Sequence, residues 1–333
     1  MFRSTEPVVS IVTVAHNARE GLLRGLAAVQ TGTEVPTETV VVDNGSTDNT
    51  AAAVRHAFRE VKLLRRSEAL PPLAAVNLGA ARAKAPWLLL LDPGLGPVGD
   101  AVRTLVEYAG SHPEDRLYTG RTLRDGSDDG RTLEAPPTLW GTACLAFGLP
   151  FEPERLPKLD RAIGGEVPAV TPRMLLVERE LWRRLGGFDE RLPAADLSMR
   201  ARSLGARPVL IPDAQMTALT PQHPPARLVS TALLTERMAF AHRHFTPQRA
   251  RAAGWLLSTA ALTRSITGEP WLSIWRRRDS WLSTPDPMPF TSSSPGLSPS
   301  PGLSGSPDAS PPSGFIPSQG RTTGLFDRDA AQP

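Results

Sequence analysis

The sequence is almost without cysteine, since Cys144 is the only one in 333 residues. A single cysteine excludes an internal disulfide framework and any cluster of cysteine metal ligands, as is usual in a reducing compartment. No apolar run approaches the roughly 20 residues that span a bilayer. The first residues lead into a strand-like run and do not resemble a signal peptide. We therefore expect a soluble, cytoplasmic protein.

An excess of charge of one sign is also absent. The chain has 37 Lys and Arg against 34 Asp and Glu, which gives a net charge of +3. Because the two signs are interspersed, the charge does not indicate a nucleic-acid partner. Apolar residues make up 40% of the chain, which is enough for a core. The length allows one large domain or two small ones.

Two short runs of apolar, β-branched residues lie near the start of the chain, at residues 8–14 and 38–43. A helix-length segment separates them, which predicts neighbouring parallel strands of a buried sheet. Each run ends in small polar residues, at the edge of the sheet where α/β proteins bind ligands. Asp43 at this edge, with the Ser/Thr/Asp cluster after it, places a carboxylate beside exposed backbone N–H groups. This arrangement predicts a nucleotide site.

The remaining pattern divides the chain into three parts. Strands alternate with helices over residues 1–222, which predicts an α/β domain with a Rossmann-like, mostly parallel sheet flanked by helices. Residues 223–282 are predicted to form a helical appendage that packs on this domain, because most amphipathic helices face a core. The alternative is that this basic, tryptophan-containing segment lies on an anionic membrane surface. Residues 283–333 are rich in Ser, Pro and Gly, which predicts a disordered tail.

Five fragments, taken in order, resemble the family 2 glycosyltransferases, which have the GT-A fold. They are residues 10–17 (SIVTVAHN) with 40–48 (VVVDNGSTD), then 76–82, 87–93, 174–190 and 211–214. Each fragment alone is a weak signal, but their order makes the match specific. The resemblance covers roughly the first two-thirds of the chain. It is to rhamnosyl- and galactofuranosyltransferase-like enzymes that build bacterial surface polysaccharide.

The resemblance assigns four residues to the donor nucleotide. Asp43 would accept a hydrogen bond from an N–H of the base, while Ala15 and Asn17 would line the base and the ribose. Asn77 would contact the nucleotide or the sugar. Each has a structural alternative: a helix-capping or turn aspartate for Asp43, a strand-to-helix cap for Asn17, and a satisfied helix residue for Asn77. We favour the functional interpretation for Asp43 and leave the two asparagines open.

The expected metal site is incomplete. The family usually places two acids around the position of Asp92, where they hold a divalent cation against the diphosphate. Here Gly94 stands where the second acid is expected. Hard cations can bind through one carboxylate together with substrate phosphates. We therefore expect Mg²⁺ or Mn²⁺ to be held weakly, with Asp92 as a single carboxylate ligand.

The expected general base is also missing. The family carries a Glu-Asp pair just before an Asp-Leu dipeptide, and an acid of that pair deprotonates the acceptor. In this chain Pro193 and Ala194 stand at those positions, and Asp196 matches the acid of the dipeptide. Asp196 and Asp189 are the candidate bases, because deprotonation needs a carboxylate within hydrogen-bond reach. For Asp196, helix capping is the alternative that we favour.

These observations predict an inverting transfer of sugar from a nucleoside-diphosphate donor to a hydroxyl of a glycan or lipid-linked glycan. The alternative is a catalytically degenerate relative that binds nucleotide sugar or a partner as a scaffold. A dinucleotide-dependent oxidoreductase is disfavoured, because residues 16–21 lack the glycine fingerprint that admits a pyrophosphate.

Overall fold

The computed structural model describes residues 6–114, 116–129, 131–147, 165–220, 230–266, 268 and 271–283. The chain divides into two compact units, residues 1–292 and residues 293–333, and everything described lies in the first unit. The predicted disordered tail falls outside the described residues, apart from its first residue, Ser283. The predicted domain boundary at residues 222 and 223 also falls outside them. The division into a catalytic domain, an appendage and a tail therefore stays a prediction.

Within the described part of the chain, ten strands form one sheet. The strands are β1 (Val9–Ala15), β2 (Thr37–Asn44), β3 (Lys62–Arg66), β4 (Trp87–Leu91), β5 (Leu95–Val98), β6 (Arg116–Arg124), β7 (Ser127–Asp128), β8 (Gly165–Glu166), β9 (Met174–Glu178) and β10 (Arg207–Ala218).

Eleven helices accompany them over the same described ranges. They are α1 (Arg19–Gly32), α2 (Thr50–Ala57), α3 (Pro72–Ala80), α4 (Ala101–Ser111), α5 (Leu139–Phe147), α6 (Arg179–Leu185), α7 (Ala195–Ser203), α8 (Thr231–His244), α9 (Pro247–Ser265), α10 (Trp271–Arg276) and α11 (Arg278–Leu282).

The central sheet flanked by helices confirms the predicted α/β class. Its strand order is β3-β2-β1-β4-β9-β6-β10-β5, and the first four strands are parallel, as predicted. Beyond β4 the sheet is mixed, because β9 runs antiparallel to both β4 and β6, while β10 is parallel to β6. A short buried apolar run has the same pattern in either direction. The sequence predicted strands alternating with helices, but it predicted neither β9 nor its direction.

Strand register places the ends of β1, β2 and β4 at one edge. Ala15 pairs with Asp43 across β1 and β2, and Val12 pairs with Leu90 across β1 and β4. Asp92 follows β4 directly and comes to the same edge. Two strand spacings, about 10 Å in total, separate the β2 end from the β4 end.

The C-terminal helices pack together with α5 around a separate hydrophobic cluster. Trp281 is fully buried in this cluster, and its indole N–H donates to the carbonyl of Ile274 at 3.0 Å. Helix α8 also contacts the sheet-bearing part of the chain, since Phe240 packs with Leu192. Helix α8 is therefore in contact both with the other C-terminal helices and with the region of the predicted acceptor site.

Residues with positive φ form several of the turns that connect the elements. Residues 125 and 126 form the turn between β6 and β7, where both have positive φ. Gly186, at φ +73°, ends α6 in the left-handed conformation that glycine adopts without strain. A positive φ at Gly205, at +79°, likewise follows the end of α7.

Candidate functional site

The end of β2 carries a buried carboxylate. Asp43 is 1% exposed, and its Oδ1 accepts a hydrogen bond from the backbone N–H of Ser46 at 3.2 Å. Ala15, which is fully buried, lies opposite Asp43 on β1. The register thus brings together two of the residues that the resemblance assigns to the nucleotide. The bond to Ser46 shows that Asp43 also stabilises the turn after β2. This is the turn-aspartate role that was named as the alternative to base binding.

Asn17 joins the loop after β1 to the loop after β2. Its backbone has φ +50°, and its N–H donates to Ser46 Oγ at 3.0 Å. Its side-chain Oδ1 accepts the backbone N–H of Thr47 at 2.8 Å. A second link runs from the N–H of Arg19 to Asp48 Oδ2 at 3.1 Å. The two loops therefore form one hydrogen-bonded unit at the predicted nucleotide edge.

The side chain of Asn77 clamps a distant backbone segment. Its Nδ2 donates to the carbonyl of Phe188 at 2.8 Å, and its Oδ1 accepts the N–H of Phe188 at 2.9 Å. This paired bond satisfies the amide in the way that the structural alternative predicted. It fixes α3 to the residue that directly precedes Asp189. Contact of Asn77 with a nucleotide or sugar remains a prediction.

Asp92 lies opposite Arg173, one residue beyond the paired ends of β4 and β9. Its N–H donates to the carbonyl of Arg173 at 2.8 Å, and its Oδ2 lies 3.1 Å from Arg173 Nη1. The other terminal nitrogen of Arg173 contacts Asp129 Oδ2, also at 3.1 Å. Desolvation raises the pKa of Asp92 above its usual value, although the positive charges of Arg173 and Arg131 oppose the increase. A guanidinium thus bridges two carboxylates beside the predicted metal position.

Gly94 has no room for the acid that the family places there. Its φ is +83°, and a Cβ would lie 2.9 Å from Thr220 Oγ1 and 3.3 Å from Gly21 Cα. No group of three or more His, Cys, Asp or Glu side chains that could hold a metal occurs in the described residues. The Asp92 side chain is 40% exposed. The site therefore fits a cation held by one carboxylate and the phosphate oxygens of a ligand.

Asp189 and Asp196, the predicted bases, are joined through one arginine of α8. Arg243 Nη1 lies 3.2 Å from Asp189 Oδ2 and 3.5 Å from Asp196 Oδ1. Asp196 is 1% exposed and also contacts Arg200 Nε and His244 Nε2, each at 2.7 Å. Asp189 pairs with Arg191 at 3.1 Å. Both carboxylates therefore lie within one network of ion pairs.

This network lowers the pKa of both carboxyl groups. Desolvation by itself would raise the pKa of Asp196, but hydrogen bonds from His244 and Arg200 and the charges of Arg200 and Arg243 outweigh it. At Asp189, desolvation would likewise raise the pKa, and it is outweighed by Arg191 and Arg243. A lowered pKa weakens a carboxylate as a general base. The geometry thus favours a structural role for both residues, although their catalytic assignment remains a prediction.

The cap of α7 also differs from the prediction. The N-cap position is Ala194, which forms no side-chain capping bond, and Asp196 lies inside the first turn. The N–H of Ala195 instead donates to Glu134 Oε2 at 3.1 Å. Sequence reasoning missed Glu134, Arg173 and His244. The partners named here are 44 to 81 residues away along the chain, and no local motif indicates contacts over such distances.

Comparison with known proteins identifies relatives in sequence and in structure. The model of the family described as glycosyl transferase family 2 matches residues 10–186. Over 236 residues the chain is 29% identical to the N-acetylglucosaminyl-diphospho-decaprenol L-rhamnosyltransferase of Mycobacterium tuberculosis, covering 63% of this chain and 75% of that enzyme.

Solved structures share the fold at low sequence identity. A mannosyltransferase from Pyrobaculum calidifontis, in complex with GDP-Man and Mn²⁺, superposes with a TM-score of 0.50 at 18% identity over 83% of each chain. GalNAc-T7, with UDP, GalNAc and Mn²⁺, has a TM-score of 0.56 at 16% identity over 83% of this chain and 55% of its own. Staphylococcus aureus TarS, with UDP-GlcNAc, has a TM-score of 0.51 at 14% identity over 83% of this chain and 81% of its own.

The structural neighbours establish the GT-A fold, and the family match spans more than half of the chain. Two of these neighbours were solved with Mn²⁺. The sequence fragments that suggested the family lie, for the most part, inside the matched range. The protein belongs to family 2 of the glycosyltransferases.

Proposed function

We propose that this protein transfers a sugar from a nucleoside-diphosphate donor to a hydroxyl of an acceptor sugar, with inversion, in the synthesis of cell-surface polysaccharide. The observation that carries the proposal is the edge formed by β1, β2 and β4, with the buried carboxylate of Asp43 at one end and Asp92 at the other. The spacing of about 10 Å between these ends suits an extended ligand with a base at one end and a diphosphate at the other.

Asp43 would bind the base, because a carboxylate accepts a hydrogen bond from a pyrimidine or purine N–H. The hydrogen-bonded loops that contain Ala15 and Asn17 would form the wall beside the base and ribose. Neither loop needs to be ordered by the ligand, since Asn17 already bonds to both Ser46 and Thr47. A preformed wall lowers the entropy cost of binding.

Asp92 would hold Mg²⁺ or Mn²⁺ weakly, together with the oxygens of the diphosphate. When bound, the cation would supply positive charge to the leaving diphosphate. Arg173 already places a guanidinium against Asp92, and Arg131 adds a second positive charge near it. These two arginines would share the neutralisation of the diphosphate, so the dependence on metal should be modest.

The acceptor is proposed to be a glycan or lipid-linked glycan. The mycobacterial relative is named for an acceptor of this kind, an N-acetylglucosaminyl-diphospho-decaprenol, and for the transfer of L-rhamnose. Its identity of 29% supports the same class of acceptor, and a rhamnosyl donor is the first to be tried.

A scaffold that binds nucleotide sugar without turnover is the second candidate. It is favoured by Gly94, by Ala194 and by the ion pairs that hold Asp189 and Asp196. A donor site without transfer would identify it, so binding and turnover must be measured separately.

Exposed apolar residues on α9 support peripheral contact with a membrane. Trp255, Leu262 and Ile266 are 78%, 49% and 88% exposed and lie on one helical face. The charged residues of α9 are all arginines, and Arg251, one turn before Trp255, is exposed. No helix in the described ranges is long and apolar enough to cross a membrane. We propose that this face contacts an anionic lipid surface, on which a lipid-linked acceptor would lie.

The donor site can be tested with Asp43→Asn, which keeps an oxygen for the Ser46 N–H but removes the charge. Calorimetric titration with UDP, dTDP and GDP should identify one preferred nucleotide. The variant should weaken its binding about 10- to 100-fold, because a hydrogen bond to a charged group is worth roughly 1.5–3 kcal/mol. Asp213→Asn, at an exposed position, is the control. Unchanged affinity would remove Asp43 from the base site, and no binding of any nucleotide would refute the donor site.

The metal contribution can be measured with the preferred nucleoside diphosphate and its nucleoside, with Mn²⁺ and with EDTA. EDTA should weaken diphosphate binding by less than about tenfold, or roughly 1.4 kcal/mol, and should leave nucleoside binding unchanged. Asp92→Asn should abolish the difference between Mn²⁺ and EDTA. If EDTA lowered the affinity for the diphosphate more than about a hundredfold, the metal and not the arginines would be the group that neutralises it.

Asp196→Asn separates a structural role from catalysis. At pH 7 it should destabilise the fold by about 3–5 kcal/mol in urea unfolding, because it leaves Arg200 without its buried carboxylate. Since the folded pKa of Asp196 is lowered, its stabilisation is present above the usual value of 3.8 and is lost as the pH falls through the folded value. The variant should lack this acid-dependent component. Glu180→Gln, which disrupts an exposed pair with Arg183, is the control. Full stability with lost turnover would instead support Asp196 as the base.

Membrane contact can be tested by sedimentation with phosphatidylglycerol-containing vesicles and with pure phosphatidylcholine vesicles. The protein should sediment with the anionic vesicles, and a Trp255→Ser/Ile266→Ser variant should remain in the supernatant. Leu204→Ser changes an exposed apolar residue outside α9 and should have no effect. If the Trp255→Ser/Ile266→Ser and Leu204→Ser variants sedimented equally with the anionic vesicles, this face of α9 would be excluded as the membrane contact.

A further inference from the structure

The two residues directly before α7 stand where the family keeps its acidic pair, yet neither of them is an acid. Pro193 and Ala194 occupy the positions of the acidic pair, and a tight backbone turn holds them. The N–H of Asp196 bonds to the carbonyl of Pro193 at 2.9 Å, and that of Leu197 bonds to the carbonyl of Ala194 at 3.1 Å. A carboxylate for this place must come from another part of the chain.

Glu134 brings a carboxylate to this turn from an earlier segment. Its Oε2 lies 3.1 Å from the backbone N of Ala195, and the two residues are separated by 61 positions. The Glu134 residue is half-buried, so the carboxylate is held by the protein without being sealed from a ligand. It lies beside the residue that follows Ala194, which stands at the second position of the missing pair.

The backbone around Glu134 is held firmly. Its N–H donates to the carbonyl of Ala169 at 3.0 Å, and the neighbouring Leu133 forms a β-bridge with Val170. The N–H of Thr171 donates to the carbonyl of Thr132 at 2.9 Å. Leu133 and Val170 are both buried. A functional group on such a support has the fixed position that proton transfer requires.

The same segment leads from Glu134 to the predicted diphosphate site. Ala169 bonds to Glu134, and four residues later Arg173 contacts Asp92. Residues 172 and 173 lie in a turn, so this segment spans less than the roughly 13 Å of an extended chain of that length. In an in-line displacement the sugar carbon lies between the leaving diphosphate and the attacking hydroxyl, with reacting atoms about 3 Å apart. This short connection allows a leaving group bound near Asp92 and a base at Glu134 to act on one sugar carbon.

The two acids nearest in sequence to the missing pair are less suited to this task. Asp196 is buried against Arg200 and His244, and Asp189 is held by Arg191 and Arg243. Protonating either would disrupt ion pairs that tie α8 to the rest of the fold. At α7, Glu134 accepts a hydrogen bond from the backbone N–H of Ala195.

We propose that Glu134 is the general base of the transfer, and this inference rests on the proposed function. The acceptor oxygen would form a bond to the anomeric carbon as its proton passes to the Glu134 carboxylate. The bond from that carbon to the diphosphate oxygen breaks, and its electron pair leaves with the nucleoside diphosphate. The carboxylate would be regenerated by loss of the proton to solvent.

The test is Glu134→Gln, because the glutamine oxygen can still accept the N–H of Ala195 while the amide cannot take a proton. Transfer is assayed from nucleoside-diphospho-L-rhamnose, carrying the nucleotide selected by titration, to N-acetylglucosaminyl-diphospho-polyprenol. The variant should lower kcat by about 10²–10⁴. Its affinity for the nucleoside diphosphate and its urea midpoint should match the wild type. Glu190→Gln, an exposed glutamate in the loop before α7, should be fully active.

The pH profile provides a readout that a capping role would not change. The kcat/KM of the wild type should fall as the pH is lowered and Glu134 is protonated, and the residual activity of the variant should lack that limb. Activity within a few-fold of wild type would overturn the assignment, as would a loss matched by a lower folded fraction. A wild type that binds nucleotide but transfers no sugar would overturn the proposed function as well. Transfer that persists in Glu134→Gln would overturn only the role of Glu134.

Discussion

The parallel register of β2, β1 and β4 is the constraint on which the candidate site depends. Backbone hydrogen bonds fix Ala15 opposite Asp43 and carry Asp92 to the same edge. Backbone pairing therefore brings Ala15, Asp43 and Asp92 to one edge, and no contact between their side chains is needed. The loops after β1 and β2 then bond to each other through Asn17 and Ser46, so they are joined without a ligand. A one-residue slip of β4 would move Asp92 away from that edge and reverse its side chain.

The positions where this chain departs from its family are packed, not vacant. Gly94 is pressed against Gly21 and Thr220, so an acid could not be restored there without moving the backbone. Arg173 bridges Asp92 and Asp129 beside it. At α7 the lost acids are likewise accompanied by a carboxylate from elsewhere, that of Glu134. Both departures are thus accompanied by a charged side chain from a distant segment, which is the basis for favouring activity over a scaffold.

The C-terminal helices are coupled to this region by charge as well as by packing. Arg243 and His244 of α8 reach the carboxylates of Asp189 and Asp196, while Phe240 packs on Leu192. Breaking a buried ion pair is costly because it leaves an uncompensated charge. Helix α8 therefore helps to hold the segment that connects α6 and α7. Another surface of the helical group, on α9, carries exposed apolar residues and arginines.

The sequence alone determined the fold class, the parallel pairing of the first two strands and the family. Each of these depends on local patterns: apolar runs, turn residues and short motifs such as residues 40–48. It also located the departures at Gly94 and Ala194. Only the tertiary structure decided the direction of β9, the pairing of Arg173 with Asp92, the ion pairs of Asp196 and the approach of Glu134 to Ala195. Most of these contacts join segments far apart in the chain, where charge and spacing carry no signal until the backbone has brought them together.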